Sequence, residues 1–456
     1  MRKLSFFIFL VCAIGFSQNK QVLYDFAGLP QTLLLNPGAE VENKFHFGMP
    51  MFSQISVQGG FTGFSAYDIF ADNGININDK IKAAVNNYGR AEFFAFNQQL
   101  EVLNGGFRLP NNDYLSFGYY EEVDFLAKIP RDVVDLFYEG NTIIGRRYSI
   151  EKLAARAEML GVLHVGLSKK LNENWNLGAR AKIYSSVFNA STKSNSGSFY
   201  TEEGSQNIYR QHLDNVNFLM QTSGVFFSNG EEIDASYVKG KLLFGGNLGL
   251  GIDLGFTHHY SKQWTITGSV LDLGFVNNSK DVESFQYKGD YEVEGVQLNF
   301  DPDNPENYWS DLKADFDNSI LSDTLYKSFL SFRPVKLNGA VSYSFGQKQD
   351  DCRYLIDQGL YLNKIGFQWF STIGAVHSYM AATLFYEHRF NKYFQTKLTY
   401  TADPFSFTNI GLGLSANIGV VNLYVSADNL LSLNNIYNAK SASFQLGLNF
   451  IFKDKN

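Results

Sequence analysis

Apolar and polar residues alternate through the last strand-like stretch, FQLGLNFIFKDKN at 444–456. Phe444, Leu446, Leu448, Phe450 and Phe452 share one face, and Gln445, Gly447, Asn449 and Ile451 share the other. The same period of two recurs in NLGLGIDLGF, where Leu248, Leu250, Ile252, Leu254 and Phe256 oppose Asn247, Gly249, Gly251, Asp253 and Gly255. It recurs in WNLGARAKIYSSV, where Trp175, Leu177, Ala179, Ala181, Ile183 and Val187 oppose Asn176, Gly178, Arg180, Lys182 and Tyr184. In NIGLGLSANI, Ile410, Leu412, Leu414, Ala416 and Ile418 oppose Asn409, Gly411, Gly413, Ser415 and Asn417. Strict alternation over such lengths predicts strands with one apolar face. Each run has about ten residues or more, which is long for a globular strand and suits a tilted bilayer crossing.

Fourteen strands are expected, near 44–58, 91–109, 113–127, 154–170, 174–190, 241–259, 264–277, 335–346, 360–373, 377–390, 393–402, 407–418, 420–428 and 441–452. Tight polar turns followed by an aromatic lie at one end: LPNNDY, LNENW, YSKQW and FNKYF. The other end carries long segments, above all 190–240 and 278–334. Short turns on one side and long loops on the other are the pattern of an outer-membrane barrel, with both termini on the periplasmic side. The expected fold is therefore all-β: a transmembrane antiparallel up-and-down barrel over 44–453, followed by a tail at 454–456. A hairpin such as 216–227 is expected within the first long segment. Short helices are expected at 78–88 and 130–139, the second with Pro130 at its start. Residues 18–43 precede the wall and lie inside the barrel as a plug or below it. The many inward glycines leave room for a plug or ligand, or permit sharp sheet curvature; curvature is the preferred reading.

The N-terminus adds a compartment. Arg2 and Lys3 precede LSFFIFLVCAIGF, and Gly15 and Ser17 follow as small residues. This is the order of a secretory signal peptide, 1–17, with cleavage after Ser17. Val11 before Cys12 fits a lipoprotein signal poorly, which leaves Cys352 as the one cysteine of the mature chain. An exported chain with one thiol has no internal disulfide framework. Composition agrees: 42 Phe, 26 Tyr and 40 Gly against nine Pro suit paired strands, and a mean hydropathy of −0.17 is what alternation averages to. No later stretch approaches 18 consecutive apolar residues, so no membrane helix is expected in the mature chain. A net charge of −7 without a basic run argues against nucleic acid as a partner.

Little in the sequence suggests catalysis. No serine-hydrolase, zinc-protease, phosphate-loop or dinucleotide motif is present in the right context, and no cofactor or metal is expected. His258 and His259 are adjacent on a strand and point to opposite faces, so they suit solvation at an interface rather than a shared metal. His164, Arg180, Lys182 and Asp253 fall on inward faces. They are candidate lumen-lining groups, either open to solvent or joined in a polar network. The acidic stretch 301–317 lacks the glycine and terminal glutamate of a calcium loop and reads as a solvated external loop.

Gln445, Gly447, Phe450 and Phe452 resemble the last-strand signal of outer-membrane barrels, which implies the barrel-assembly machinery as a partner. LLLNPGAE at 33–40, GSVLDLGFV at 268–276 and LYVSADNLLSL at 423–433 resemble segments of PorP/SprF-type and related FadL-like or PorV-like barrels. The first reads Asn36-Pro37-Gly38 where the family pattern has Asn-Pro-Ala. The resemblance implies a Gram-negative outer-membrane protein of the lineage that uses type IX secretion. It further implies a non-enzymatic accessory subunit embedded in outer-membrane lipid. Another envelope or secreted protein would bind through 190–240 and 278–334. The alternative is a FadL-like transport channel for a hydrophobic or small solute, with 18–43 as its hatch.

Overall fold

The computed structural model describes residues 20–205, 208–226, 234–294, 321–347, 361–431 and 437–453. The signal peptide, Cys352, the acidic stretch 301–317 and the tail lie outside these residues. Twenty-one described strands form one antiparallel sheet that closes on itself. In chain order they are β1 (Phe45–Gly48), β2 (Gln54–Phe61), β3 (Ala91–Arg108), β4 (Tyr114–Pro130), β5 (Arg147–Ser149), β6 (Ala154–Lys170) and β7 (Trp175–Ser194). Next come β8 (Ser198–Glu203), β9 (Tyr209–Ser223), β10 (Asn247–His259), β11 (Trp264–Asn278), β12 (Ser284–Val293), β13 (Leu321–Leu325) and β14 (Phe329–Phe332). The last third holds β15 (Val335–Gln347), β16 (Tyr361–Ile373), β17 (Tyr379–Arg389), β18 (Phe394–Ala402), β19 (Asn409–Ile418), β20 (Val421–Ala427) and β21 (Ser441–Phe452).

β1 and β2 are two halves of one wall strand, and both pair with β3 on one side and β21 on the other. Phe47 faces Phe450 and Val57 faces Phe444, so the final strand closes the cylinder on the first. With β5, β8, β9 and β12–β14 outside the wall, the barrel has fourteen strands, at the positions that alternation places them. Several boundaries shift by three or four residues, with β2, β4 and β7 running on to Phe61, Pro130 and Ser194, and one shifts further: the strand expected from 241 begins at Asn247, because 241–245 form a tight helical turn against the outer wall. Closure gives the wall backbone hydrogen-bonding partners within the sheet, which a lipid-facing sheet requires. Leu248, Leu250, Ile252 and Leu254 are exposed on the outer belt, whereas Asn247 and Asp253 are buried inside.

The wall is uneven. β3, β4, β6 and β7 have 18, 17, 17 and 20 residues, against 11, 9, 10 and 7 in β17–β20. The extra residues, about nine per strand, lengthen that side of the wall by roughly 20 Å at the usual rise and tilt. Above that side, β8 pairs with β5 and β9, β9 pairs with β7 and β12, and β12 pairs with β13. The described parts of the two long segments therefore build one external sheet. The expected 216–227 hairpin is replaced by the β8–β9 pair. Helices occur at Ile77–Asn86 and Arg131–Glu139, close to expectation, with Pro130 as the residue before the second helix. No helix among the described residues is long and apolar enough to cross a membrane.

Residues 20–43 run inside the cylinder. Val22, Leu23, Tyr24, Phe26, Leu29, Leu33, Leu34 and Leu35 are buried, and a single 3-10 turn forms at Pro30–Leu34 with proline at its start. This changes the reading of the inward glycines. A methyl group at Gly178 would lie 2.0 Å from the carbonyl oxygen of Pro37, and one at Gly255 would lie 2.0 Å from Asn36 Oδ1. At Gly413 it would meet Val22 and Phe26. These three positions are glycine because the plug lies against the wall there, whereas Gly249 meets Phe275 and Val276 and Gly251 meets Tyr184, all within the wall itself.

Candidate functional site

The site is the plugged lumen. Its periplasmic half is a seat for Asn36-Pro37-Gly38. Asn36 Oδ1 accepts the Gly38 N–H at 2.9 Å, which closes a short side-chain turn. Asn36 Nδ2 donates to the Phe256 carbonyl at 3.1 Å. The Gly38 carbonyl accepts from Asn176 Nδ2 at 3.0 Å and from Thr257 Oγ at 2.8 Å, and Ser269 Oγ donates to the Leu35 carbonyl at 2.6 Å. β7, β10 and β11 thus present polar side chains from both sides of the glycine gap.

Further up the lumen the plug makes mixed contacts. Leu23, Tyr24, Phe26, Leu29 and Leu35 pack with Ala340 and Tyr424 of the wall. Leu34 packs with Tyr120, Leu160, Val162, Tyr184 and Val276. Lys397 Nζ donates to the Tyr24 carbonyl at 2.6 Å, and Lys364 pairs with Asp25 at 3.2 Å. Gln31 Nε2 donates to Asn449 Oδ1 at 2.7 Å and to the Ser53 carbonyl at 3.1 Å.

Ser53 marks a break in the wall. β1 ends at Gly48, opposite Asn449, and by Ile55, opposite Leu446, the first strand has used seven residues to the partner's three. The surplus loops outward at 49–52, and Ser53 returns to the lumen side, fully buried. Met51 adopts a left-handed φ of 65°, and Met49, Met51 and Phe52 are exposed on the outer face. The neighbouring strands stay bonded across the break, through Met49 N–H to Leu448 O and Met51 N–H to Val102 O.

Beside the plug, wall charges form one buried network. Arg180 pairs with Asp253 at 3.3 Å and also donates to the Leu33 carbonyl. Lys182 bridges Asp253 at 2.8 Å and Asp272 at 2.6 Å. Lys336 reaches Asp272 at 2.9 Å and Glu122 at 3.2 Å. Arg333 pairs with Glu122 at 2.7 Å and with Glu158. Arg156 joins Asp124 at 3.2 Å to Glu158. Buried charges persist only when paired and hydrogen-bonded, and each of these ions has a partner.

Of the four lumen candidates, Arg180, Lys182 and Asp253 belong to this network. His164 is buried beside it but bonds to none of its members, and both its ring nitrogens lack a partner among the described residues. Sequence reasoning missed Asp272, the hub. It sits in the DLG motif, where a bulge between Ile252 and Leu254 shifts the register and Asp272 takes a left-handed φ of 61°. Its N–H donates to Asp253 Oδ1 at 2.7 Å. The signal was an aspartate inside an otherwise alternating strand. His258 bonds the Asn174 carbonyl and stacks on Trp175, whereas His259 bonds Glu40, so the two diverge as strand neighbours must. On β21, Gln445 is buried inside, Gly447 abuts the Ser53 carbonyl, and Phe452 is exposed outside.

At the external mouth, a cavity of about 50 Å³ is lined by Asn97, Asp124, Arg156, Lys336, His377 and Tyr379, among others. His377 lines it from the external turn, with its ring centroid 4.3 Å from that of Phe93. Among the described residues, no three His, Cys, Asp or Glu side chains gather as metal ligands would.

A closed antiparallel barrel with an apolar outer belt and an internal terminal plug is the architecture of an outer-membrane protein. The chain belongs to the family of unknown function DUF5723, whose model matches residues 37–428, from the plug seat to the end of β20. No curated protein matches the sequence. Among solved structures, a Pseudomonas aeruginosa FadL homologue is similar at 10% identity and a TM-score of 0.45, covering 96% of this chain and 100% of its own. The Ralstonia pickettii toluene transporter TbuX is similar at 9% identity and a TM-score of 0.40, covering 93% and 94%. The translocator domain of the autotransporter NalP from Neisseria meningitidis is similar at 8% identity and a TM-score of 0.32, covering 90% and 89%. All three scores lie below 0.5, and the architecture rests on the strand pairings themselves.

Proposed function

We propose that this protein is a non-enzymatic outer-membrane channel for small hydrophobic or amphipathic solutes, with residues 18–43 as its hatch. The carrying observation is the contact between the plug and the break in the first wall strand. Gln31 of the plug bonds the carbonyl of Ser53, where the wall resumes, and the outer side of that break presents Met49, Met51 and Phe52. A solute that displaced the plug would meet the wall groups Tyr120, Val162, Tyr184 and Tyr424, which now pack on Leu34 and Tyr24. A fourteen-strand cylinder is wide for its own side chains to fill, so a terminal segment tied at one end supplies a displaceable filling. Export by residues 1–17 and assembly through Gln445, Gly447, Phe450 and Phe452 in outer-membrane lipid belong to the same proposal. The test is reconstitution in vesicles, comparing the full barrel with one lacking residues 20–34. Faster entry of a naphthalene-sized fluorescent hydrocarbon through the shortened barrel supports the channel. Equal entry through both, with the shortened barrel folded, removes it.

A second reading is favoured by the external sheet. The two longest segments join there through the β9–β12 pairing, which is the build of a contact surface. In this reading the protein is an accessory subunit that binds another envelope or secreted protein, within the type IX secretion lineage. Deleting 278–334 should then abolish co-purification of a stoichiometric partner while the barrel still assembles. Unchanged co-purification removes this loop from the account.

A further inference from the structure

The buried ion network ends at the external mouth, and its last carboxylate is under-paired. Glu158, Glu122, Asp272 and Asp253 each have at least two cationic partners. Asp124 has one among the described residues, Arg156 at 3.2 Å, which it shares with Glu158. Asn97 Nδ2 is divided between Glu122 at 2.9 Å and the other oxygen of Asp124 at 3.2 Å. Each carboxylate oxygen can accept two bonds, so Asp124 keeps acceptor capacity. Lys336 is its counterpart among the cations. An ammonium has three donors, and Asp272 at 2.9 Å and Glu122 at 3.2 Å engage two of them. The side chains of Lys336 and Asp124 are 25% and 20% exposed, whereas every other member of the network is 8% exposed or less.

Both line the cavity of about 50 Å³ at the external mouth. Sheet register sets its two sides. Gln58 faces Asn97 and Asn97 faces Asp124, which makes one inward row across β2–β4. Lys336 faces Thr372 and Thr372 faces Tyr379, which makes another across β15–β17. All six residues line the cavity. The first row offers acceptors: Asp124, and Gln58 Oε1, which is buried without a partner among the described residues. The second row offers donors: the Lys336 ammonium and the hydroxyls of Thr372 and Tyr379. Arg156 also lines the cavity, but Asp124 and Glu158 hold its two terminal nitrogens. A single water occupies about 10–15 Å³ of such space, so the cavity has room for roughly four waters or a solute of about five heavy atoms.

We propose that the external mouth binds a small zwitterion, an amino acid of glycine's size, with its ammonium on Asp124 and Gln58 and its carboxylate on Lys336 and Thr372. Acceptors on one wall and donors on the other match the two ends of such a molecule. A zwitterion also brings no net charge to a network whose ions are already paired. A lone anion would gain Lys336 and meet Asp124, and a lone cation would gain Asp124 and meet Lys336, so each trades one charge-assisted bond against one repulsion. This site does not depend on the channel for hydrophobic solutes, because binding is read without transport.

The test uses the full barrel folded in detergent and titrated with glycine by isothermal calorimetry. One saturable site per barrel is expected. Acetate and methylammonium, each carrying one end of the ligand, should bind at least about tenfold more weakly, and so should tryptophan, which exceeds the cavity. Asp124→Asn and Gln58→Leu should each weaken glycine binding by at least about tenfold, an amount equal to 1.4 kcal/mol. Should Asp124→Asn fail to fold, Gln58→Leu, which changes no charge, carries the test. Absence of saturable glycine binding in the parent barrel overturns the proposal. So does acetate or methylammonium binding as tightly as glycine, or undiminished glycine binding in the folded variants.

Discussion

Gly178→Ala is the sharpest probe of the plug. The new methyl would lie 2.0 Å from the carbonyl oxygen of Pro37, 2.1 Å from its carbon and 2.4 Å from the Gly38 nitrogen. All three are backbone atoms, so no side chain can rotate away. Either the wall or the plug must shift. β7 is held by long ladders to β6 and β10 on both sides, whereas residues 36–39 are held by single side-chain bonds. The plug therefore moves. A shift of about an ångström breaks the bonds from Asn36 to Phe256 O and from Asn176 and Thr257 to Gly38 O. Three hydrogen bonds at about 1 kcal/mol each, with overpacking of about 1–3 kcal/mol, give about 4–6 kcal/mol. That weakens plug seating by roughly three to four orders of magnitude. The assays are conductance in planar bilayers and labelling of Leu33→Cys, both in a Cys352→Ser background. Higher conductance and faster labelling of a folded barrel are expected. A folded barrel unchanged in both would refute the seat. Loss of the folded barrel would instead return Gly178 to the wall, as a curvature residue.

Asp272→Asn should cost about 3–5 kcal/mol, because Lys182 and Lys336 lose a buried counter-charge. Asparagine tolerates the left-handed backbone at this position, so a fall in the urea midpoint reports the charge alone, and an unchanged midpoint would show that the network adds no stability. His377, in the external turn after β16, is held below its ordinary pKa by burial and by Lys128. The closed turn binds fewer protons than the open one, so its contact with Phe93 is stable above about pH 6.5 and weakens as pH falls below it. Amide exchange at 374–378 should quicken from pH 7.5 to 5.0 beyond the intrinsic change, and His377→Asn should abolish that excess; equal excess in both would dismiss the histidine. Phe137, 88% exposed on the helix Arg131–Glu139, should tolerate Ser with a stability change under about 0.5 kcal/mol. A larger loss would show that this side chain packs against the barrel.

The sequence by itself determined the wall. Alternation is a local property of a strand, and it names both faces wherever one side meets an apolar medium. Leu248, Leu250, Ile252 and Leu254 could be placed outside, and Arg180, Lys182 and Asp253 inside, from their spacing alone. Turn chemistry at 109–114, 171–175 and 390–394 ordered the strands. Tertiary structure decided what fills the cylinder. Gly178 and Gly255 read as curvature until Pro37 and Asn36 lie against them from a segment more than 130 residues away in the chain. Asp272 read as part of a strand end until a bulge turned its carboxylate to Lys182 and Lys336. The break at 49–53 was hidden because extra residues in one strand are visible only against the register of its partners, β3 and β21. Contacts across a lumen join residues with no fixed separation along the chain, so no local period can report them.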